Sequence, residues 1–234
     1  MQPLSLSVRL FGRAVWTAIF ENTAFEDAQQ GELLSKLHSL EALRKQAEYD
    51  TGSISTITAW SLFAAVRTFQ PELILEVGTF IGKSTIAMGL ALDQGRRPGT
   101  IHTCDFSNSF PLPALCKSPI VQYPKKMSSD MFAAMLASGL AGKVDFVHLD
   151  GRVAEQELPV LASLCKATTV FAFDDFEGIE KGAINYMKML ESGLFQGRIL
   201  IPPCSEEISR RFGLKDASRT ALWLPNALIN ITAQ

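Results

Sequence analysis

Short apolar runs alternate along the chain with segments whose apolar residues recur at helical spacing. Leu73–Val77 is apolar except for Glu76, the pattern of a strand buried on both faces. Gly78 to Gly82 makes a turn. Ser84 or Thr85 can cap a helix after it, in which Ile86, Leu90 and Ala91 fall at helical spacing. Strand, glycine turn and helix are half of a βαβ unit. Further strands are predicted at 100–105, 120–123, 144–150 and 168–175, with two more at 197–202 and 220–225 joined by a long charged link. Helices are predicted at about 30–48 (Leu33, Leu34, Leu37, Leu40, Leu43), from Ser53 or Ser55 to Phe69, and at 131–140 behind the capping residues 128–130. Phe106–Ser118, rich in Pro, Ser and Phe, reads as a loop. The alternation predicts an α/β fold with a parallel sheet.

The first twenty residues differ. Phe11, Val15, Trp16, Ile19 and Phe20 with Arg9 and Arg13 make a basic amphipathic stretch with no small-residue cleavage site. It reads as a helix packed on the domain or on a second copy of the chain, and a homodimer or larger assembly is expected from that surface. Residues 1–48 are therefore read as a helical arm and 49–234 as the main domain. The chain has 234 residues, 47% hydrophobic and 20% charged, enough for a substantial core. Its formal net charge of -2 gives no overall argument for nucleic acid. No apolar run approaches the length of a membrane span. The four cysteines form no C-x-x-C pair, so reduced thiols in a cytoplasmic protein are expected.

In open α/β sheets the ligand lies at the carboxyl ends of the strands, so the 78–82 turn is the expected floor of a site. Three ligands use such turns. A dinucleotide needs G-x-G-x-x-G, but Phe80 stands at the second glycine, where the backbone must meet a pyrophosphate. A P-loop needs G-x-x-x-x-G-K-[ST]. Gly82, Lys83 and Ser84 match its end, but Val77 stands where its first glycine should be. The third reading is a nucleoside without phosphates, which suits the E-x-G-x-x-x-G pattern of Glu76, Gly78 and Gly82. Four acids at other strand ends also carry chemistry. Asp105 ends the second predicted strand, where an acid can accept from ribose hydroxyls or simply cap a turn. Asp150, Asp174 and Asp175 end the fourth and fifth. Three carboxylates at one sheet edge suit a hard cation such as magnesium, or else cap a turn and a helix. The strand into Asp174 and Asp175 also looks like the acidic strand of a P-loop hydrolase.

The turn and its helix resemble the first motif of class I S-adenosylmethionine (SAM) dependent methyltransferases. Within that class they are most similar to small O-methyltransferases of the catechol and caffeoyl-CoA type and their bacterial natural-product relatives. The resemblance runs from about Tyr49 to the end. It implies a doubly wound, seven-stranded, mostly parallel sheet with an antiparallel C-terminal strand pair. It implies SAM held by Thr51, Gly52 and Ser53 over the methionine end, and by Glu76, Gly78, Thr79, Gly82 and Ser84 around the turn. Asp105 would take the ribose, Ser129 and Asp130 the adenine, with Asp150 beside them. Capping of the 131–140 helix explains Ser129 and Asp130 equally well. Metal-dependent relatives carry acids at the positions of Asp150, Asp174 and Asp175, which implies Mg2+ or Mn2+ here. The sequence departs from the pattern at Val153, where relatives have Lys or His as the base. Arg152 stays protonated and is a poor base, and His148 lies within a strand, so no catalytic base is assigned. The expected activity is methyl transfer to a hydroxyl of a small molecule, without nucleic acid or membrane. A SAM-binding protein without catalysis and, less favoured, a P-loop-like hydrolase are the alternatives.

Overall fold

In the computed structural model, residues 15–19, 27–49, 52–107, 110–176, 181–200 and 220–229 are described. The strands are β1 (Leu73–Val77), β2 (Thr100–Asp105), β3 (Ile120–Pro124), β4 (Val144–Leu149), β5 (Cys165–Phe173), β6 (Gly197–Leu200) and β7 (Ala221–Pro225). They form one seven-stranded sheet in the order β3-β2-β1-β4-β5-β7-β6. β1 to β5 run parallel, and β7 is antiparallel to both β5 and β6. This is the doubly wound sheet that the resemblance implied.

Side chains alternate between the two faces of the strands. Ile74, Ile101, Phe146 and Ala172 share one core with α1 (Asp27–Ser39), α2 (Thr56–Phe69) and α3 (Lys83–Asp93). Leu75, Val147, Leu149 and Phe173 share the other with α4 (Ser128–Ala137), α5 (Leu158–Leu164) and α6 (Lys181–Ser192). A short α7 (Asn226–Ile229) comes after β7. Trp16 and Ile19 are buried in the first core, and Trp16 Nε1 donates to the carbonyl of Leu200 on β6 at 3.3 Å. The apolar surface these two would have offered a second copy is used within the chain. Phe11 and Phe20 lie outside the described residues.

One element differs from expectation. The helix expected over 30–48 is α-helical only to Ser39 and continues as a 3-10 helix, Leu40–Gln46. The Ser39 hydroxyl donates back to Lys36 O at 2.7 Å, a side-chain bond that competes with helix continuation. Parallel strands are usually joined by a helix, but the β2–β3 crossover carries Pro111, Pro113 and Pro119 and, as expected of 106–118, has no helix in its described part. It is pinned instead. Asp93 at the end of α3 accepts from Lys117 N, Ser118 N and Ser118 Oγ, each at 2.7 Å. Cys104, Cys116 and Cys165 are free thiols, and Cys204 lies outside the described residues. Among the described residues no helix is long and apolar enough to cross a membrane.

Candidate functional site

Strand order reverses on either side of the β1–β4 pair, with β2 and β3 to one side and β5 to the other. Ligands of open α/β sheets sit at such a switch point. Here it is built tightly. Gly78 N and Thr79 N both donate to Cys104 O at 3.0 and 3.2 Å, and Asp150 N donates to Val77 O at 2.9 Å. Gly78 has φ 103°, and a Cβ there would come within 2.9 Å of the Asp150 carbonyl carbon. The glycine expected to admit a ligand therefore admits the exit of β4. Gly82 has φ 82° and starts α3, and a Cβ on it would strike Leu112 of the β2–β3 crossover at 2.4 Å.

Glu76 is wholly buried. Thr103 donates to its Oε2 at 2.7 Å, Thr85 donates to the same oxygen, and Ser84 also bonds the carboxylate. His148 Nδ1 lies 3.1 Å from Oε1, directly across the β1–β4 register. A carboxylate has about four acceptor sites, so this one is satisfied from within the chain. Burial by itself would raise the Glu76 pKa, but the His148 contact together with the Ser84 and Thr85 hydroxyls holds the carboxyl below its ordinary value. Burial would lower His148, and Glu76 instead holds it above its ordinary value, helped by the charges of Asp150 and Asp174. Glu76 and Ser84, which the resemblance placed around the cofactor turn, are both buried, and the bonds of Glu76 tie β1 to β2, β4 and α3.

Asp105 comes to the turn as expected. Its Oδ2 accepts from Phe80 N at 2.6 Å, and its Oδ1 accepts from Ser107 N at 2.8 Å and from the Ser107 hydroxyl. Phe80 reaches it by adopting a left-handed backbone, φ 44°. Thr79, Phe80, Asp105, Gln122 and Tyr123 line a narrow cleft there. Thr79 Oγ1 lies 2.5 Å from Thr103 Oγ1. Ser55, not Ser53, caps α2, accepting from Thr58 N at 3.2 Å. Gly52 is exposed with φ 82°, and Ser53 Oγ makes only a long bond to Ile54 O. Thr51 lies outside the described residues. Asp130 accepts from Met127 N at 3.2 Å as a capping acid, and Ser129 is exposed beside it.

At the ends of β4 and β5 the expected acids come together around a lysine. Lys181 Nζ lies 2.8 Å from Asp150 Oδ1 and 3.1 Å from Asp175 Oδ2. Asp174 Oδ1 accepts from the Thr220 hydroxyl at 3.0 Å. Burial and the neighbouring Asp174 push the Asp150 carboxyl up to about 7, against the pull of Lys181. Asp174 is raised as well, first by burial. Among the described residues no group of three or more His, Cys, Asp and Glu is placed to hold a metal ion. Hard cations take oxygen ligands, and here an ammonium bridges two of the three acids.

Val153, at the expected place of a base, is buried in the second core. Its loop is fastened to α6: Val153 N donates to Asn185 Oδ1 at 3.1 Å, and Asn185 Nδ2 donates to Gly151 O at 2.8 Å. His148, Asn185 and Lys181 were not singled out as partners in the sequence. Only His148, a polar residue inside an apolar strand, carried a signal, because a buried imidazole needs a partner.

No protein-family model matches the sequence, and no curated protein matches it. Solved structures do match in shape. An O-methyltransferase from Bacillus cereus in complex with SAH aligns over 92% of this chain and 97% of its own, with TM-score 0.57 and 14% identity. The O-methyltransferase TomG from Streptomyces achromogenes, involved in tomaymycin synthesis and solved with SAM, aligns over 93% and 98%, with TM-score 0.57 and 17% identity. The chain thus has the Rossmann-like methyltransferase fold.

Proposed function

We propose that this chain is a SAM-dependent methyltransferase acting on a hydroxyl oxygen of a small molecule. The observation that carries the reading is the placement of Asp105 and the 78–82 turn side by side at the switch point of a methyltransferase-type sheet. The residues fit a nucleoside ligand. The Asp105 carboxylate spends three of its roughly four acceptor sites on Phe80 and Ser107, and a ribose hydroxyl would take the remaining one or replace the Ser107 hydroxyl. Bound SAM would supply an electrophilic methyl group for the acceptor oxygen, with S-adenosylhomocysteine as the leaving group and the hydroxyl proton released to solvent. The chain's part is alignment of acceptor and methyl group. Fixed strand ends serve that task, because the Glu76–His148 pair and the Asn185 bonds hold the exits of β1 and β4 in place. No step is assigned to a metal, since the three acids do not fit one as arranged.

Lys83 argues against nucleotide hydrolysis. The lysine that matches a P-loop is ion-paired with Glu41 of the 3-10 helix. The buried Val153 favours the second reading, a SAM-binding protein without turnover.

Calorimetry with S-adenosylhomocysteine and with ATP tests the proposal. S-adenosylhomocysteine is expected to bind and ATP not. Asp105→Ala is expected to weaken the binding by about 1.5–3 kcal/mol, the worth of hydrogen bonds to a charged group. ATP binding with no affinity for the SAM-type ligand would overturn it.

A further inference from the structure

Two independent features meet at the ends of β4 and β5. The first is the bridge: one ammonium, Lys181 Nζ, contacts Asp150 at 2.8 Å and Asp175 at 3.1 Å, joining acids from two strands. The second is the seat of α6. Gly182 packs so closely on β5 that a Cβ would fall 2.0 Å from Asp174 O. Any larger residue would lift the helix start, and Lys181 with it, away from the acids. A third observation agrees. Asp175 turns into the bridge with φ 50°, an unfavourable backbone for a non-glycine residue.

We propose that Lys181 is this chain's built-in cation, standing at the strand ends where the pattern of acids led to the expectation of a divalent metal, and that it holds the acceptor's oxygen. The inference rests on the methyltransferase reading above. An ammonium has three donors. Two face Asp150 and Asp175, and the third is available to an acceptor hydroxyl, since the lysine side chain keeps 28% of its surface exposed. The positive charge also relieves the repulsion among the acids, as a bound metal would. A metal entering the same place would have to break both ion pairs first.

The test is manganese binding to the full-length protein, read by electron paramagnetic resonance, with S-adenosylhomocysteine calorimetry on the same samples. Wild type and Lys181→Arg are expected to take up no Mn2+ at micromolar concentrations. Lys181→Met, which keeps the length and loses the charge, is expected to gain Mn2+ affinity on the order of tenfold or more. Adding Asp150→Asn to Lys181→Met should remove the gain. Stoichiometric Mn2+ uptake by wild type, abolished by Asp150→Asn, overturns the inference, because the acids then form a metal site that displaces the lysine. Absence of uptake by folded Lys181→Met overturns it too, because the acids then are no cation site. The cofactor arm is separate: failure of S-adenosylhomocysteine to bind wild type removes the methyltransferase reading whatever manganese does.

Discussion

His148 Nδ1 on β4 lies 3.1 Å from Glu76 Oε1 on β1, and neither side chain reaches solvent. The pair spans the switch point of the sheet, two residues before Gly78 and Asp150. A charged pair there costs desolvation, and the hydroxyls of Thr85 and Thr103 offset part of it by donating to the carboxylate.

Removing one partner leaves the other buried without compensation. His148→Leu is expected to cost about 3–5 kcal/mol. Urea unfolding near pH 6 measures it. A cost below about 1 kcal/mol, the net worth of an ordinary hydrogen bond, would show that the pair is not ionised.

The same pair has a pH signature. His148 is raised above its ordinary 6.5 in the folded protein, so its contribution is complete below 6.5 and is lost as pH rises through the folded value. Glu76 is lowered from 4.5, so its contribution is complete above 4.5 and is lost as pH falls through its own folded value. The stability gap between wild type and His148→Leu should therefore be widest between 4.5 and 6.5 and narrow on the alkaline side. A gap that widens with rising pH contradicts the assignment.

Gly182→Ala separates packing from propensity. Alanine is favoured over glycine inside a helix by about 1 kcal/mol, so propensity alone predicts a higher melting temperature. The 2.0 Å approach to Asp174 O predicts the opposite. A lower melting temperature is expected in differential scanning calorimetry, and a rise would mean that α6 starts elsewhere.

Trp16 reports on the arm. It is wholly buried and bonded to Leu200 O. Trp16→Ala is expected to cost about 3–5 kcal/mol, read by chemical denaturation. A cost near zero would detach residues 15–19 from the core.

Local pattern sets the elements. Apolar runs such as Leu73–Val77, the positive-φ glycines of the turn and Pro71 after α2 impose short-range constraints that are legible in the chain itself. The acids at the strand ends were equally visible, because a parallel sheet delivers the residue after each strand to one edge. What those acids do was not visible. A carboxylate facing a ribose, a metal, a hydroxyl or a lysine looks alike in sequence, and its partner comes from a segment far away. Glu76 pairs with His148 seventy-two positions on, and Asp150 with Lys181 thirty-one positions on. Only the packing of β4 against β1, and of α6 against β5, brings them within hydrogen-bond reach. Local patterning was therefore enough for the sheet, its turns and the edge where chemistry can occur. It took long-range packing to turn Glu76 into a residue that holds the fold, and to set an ammonium among the acids where a metal was expected.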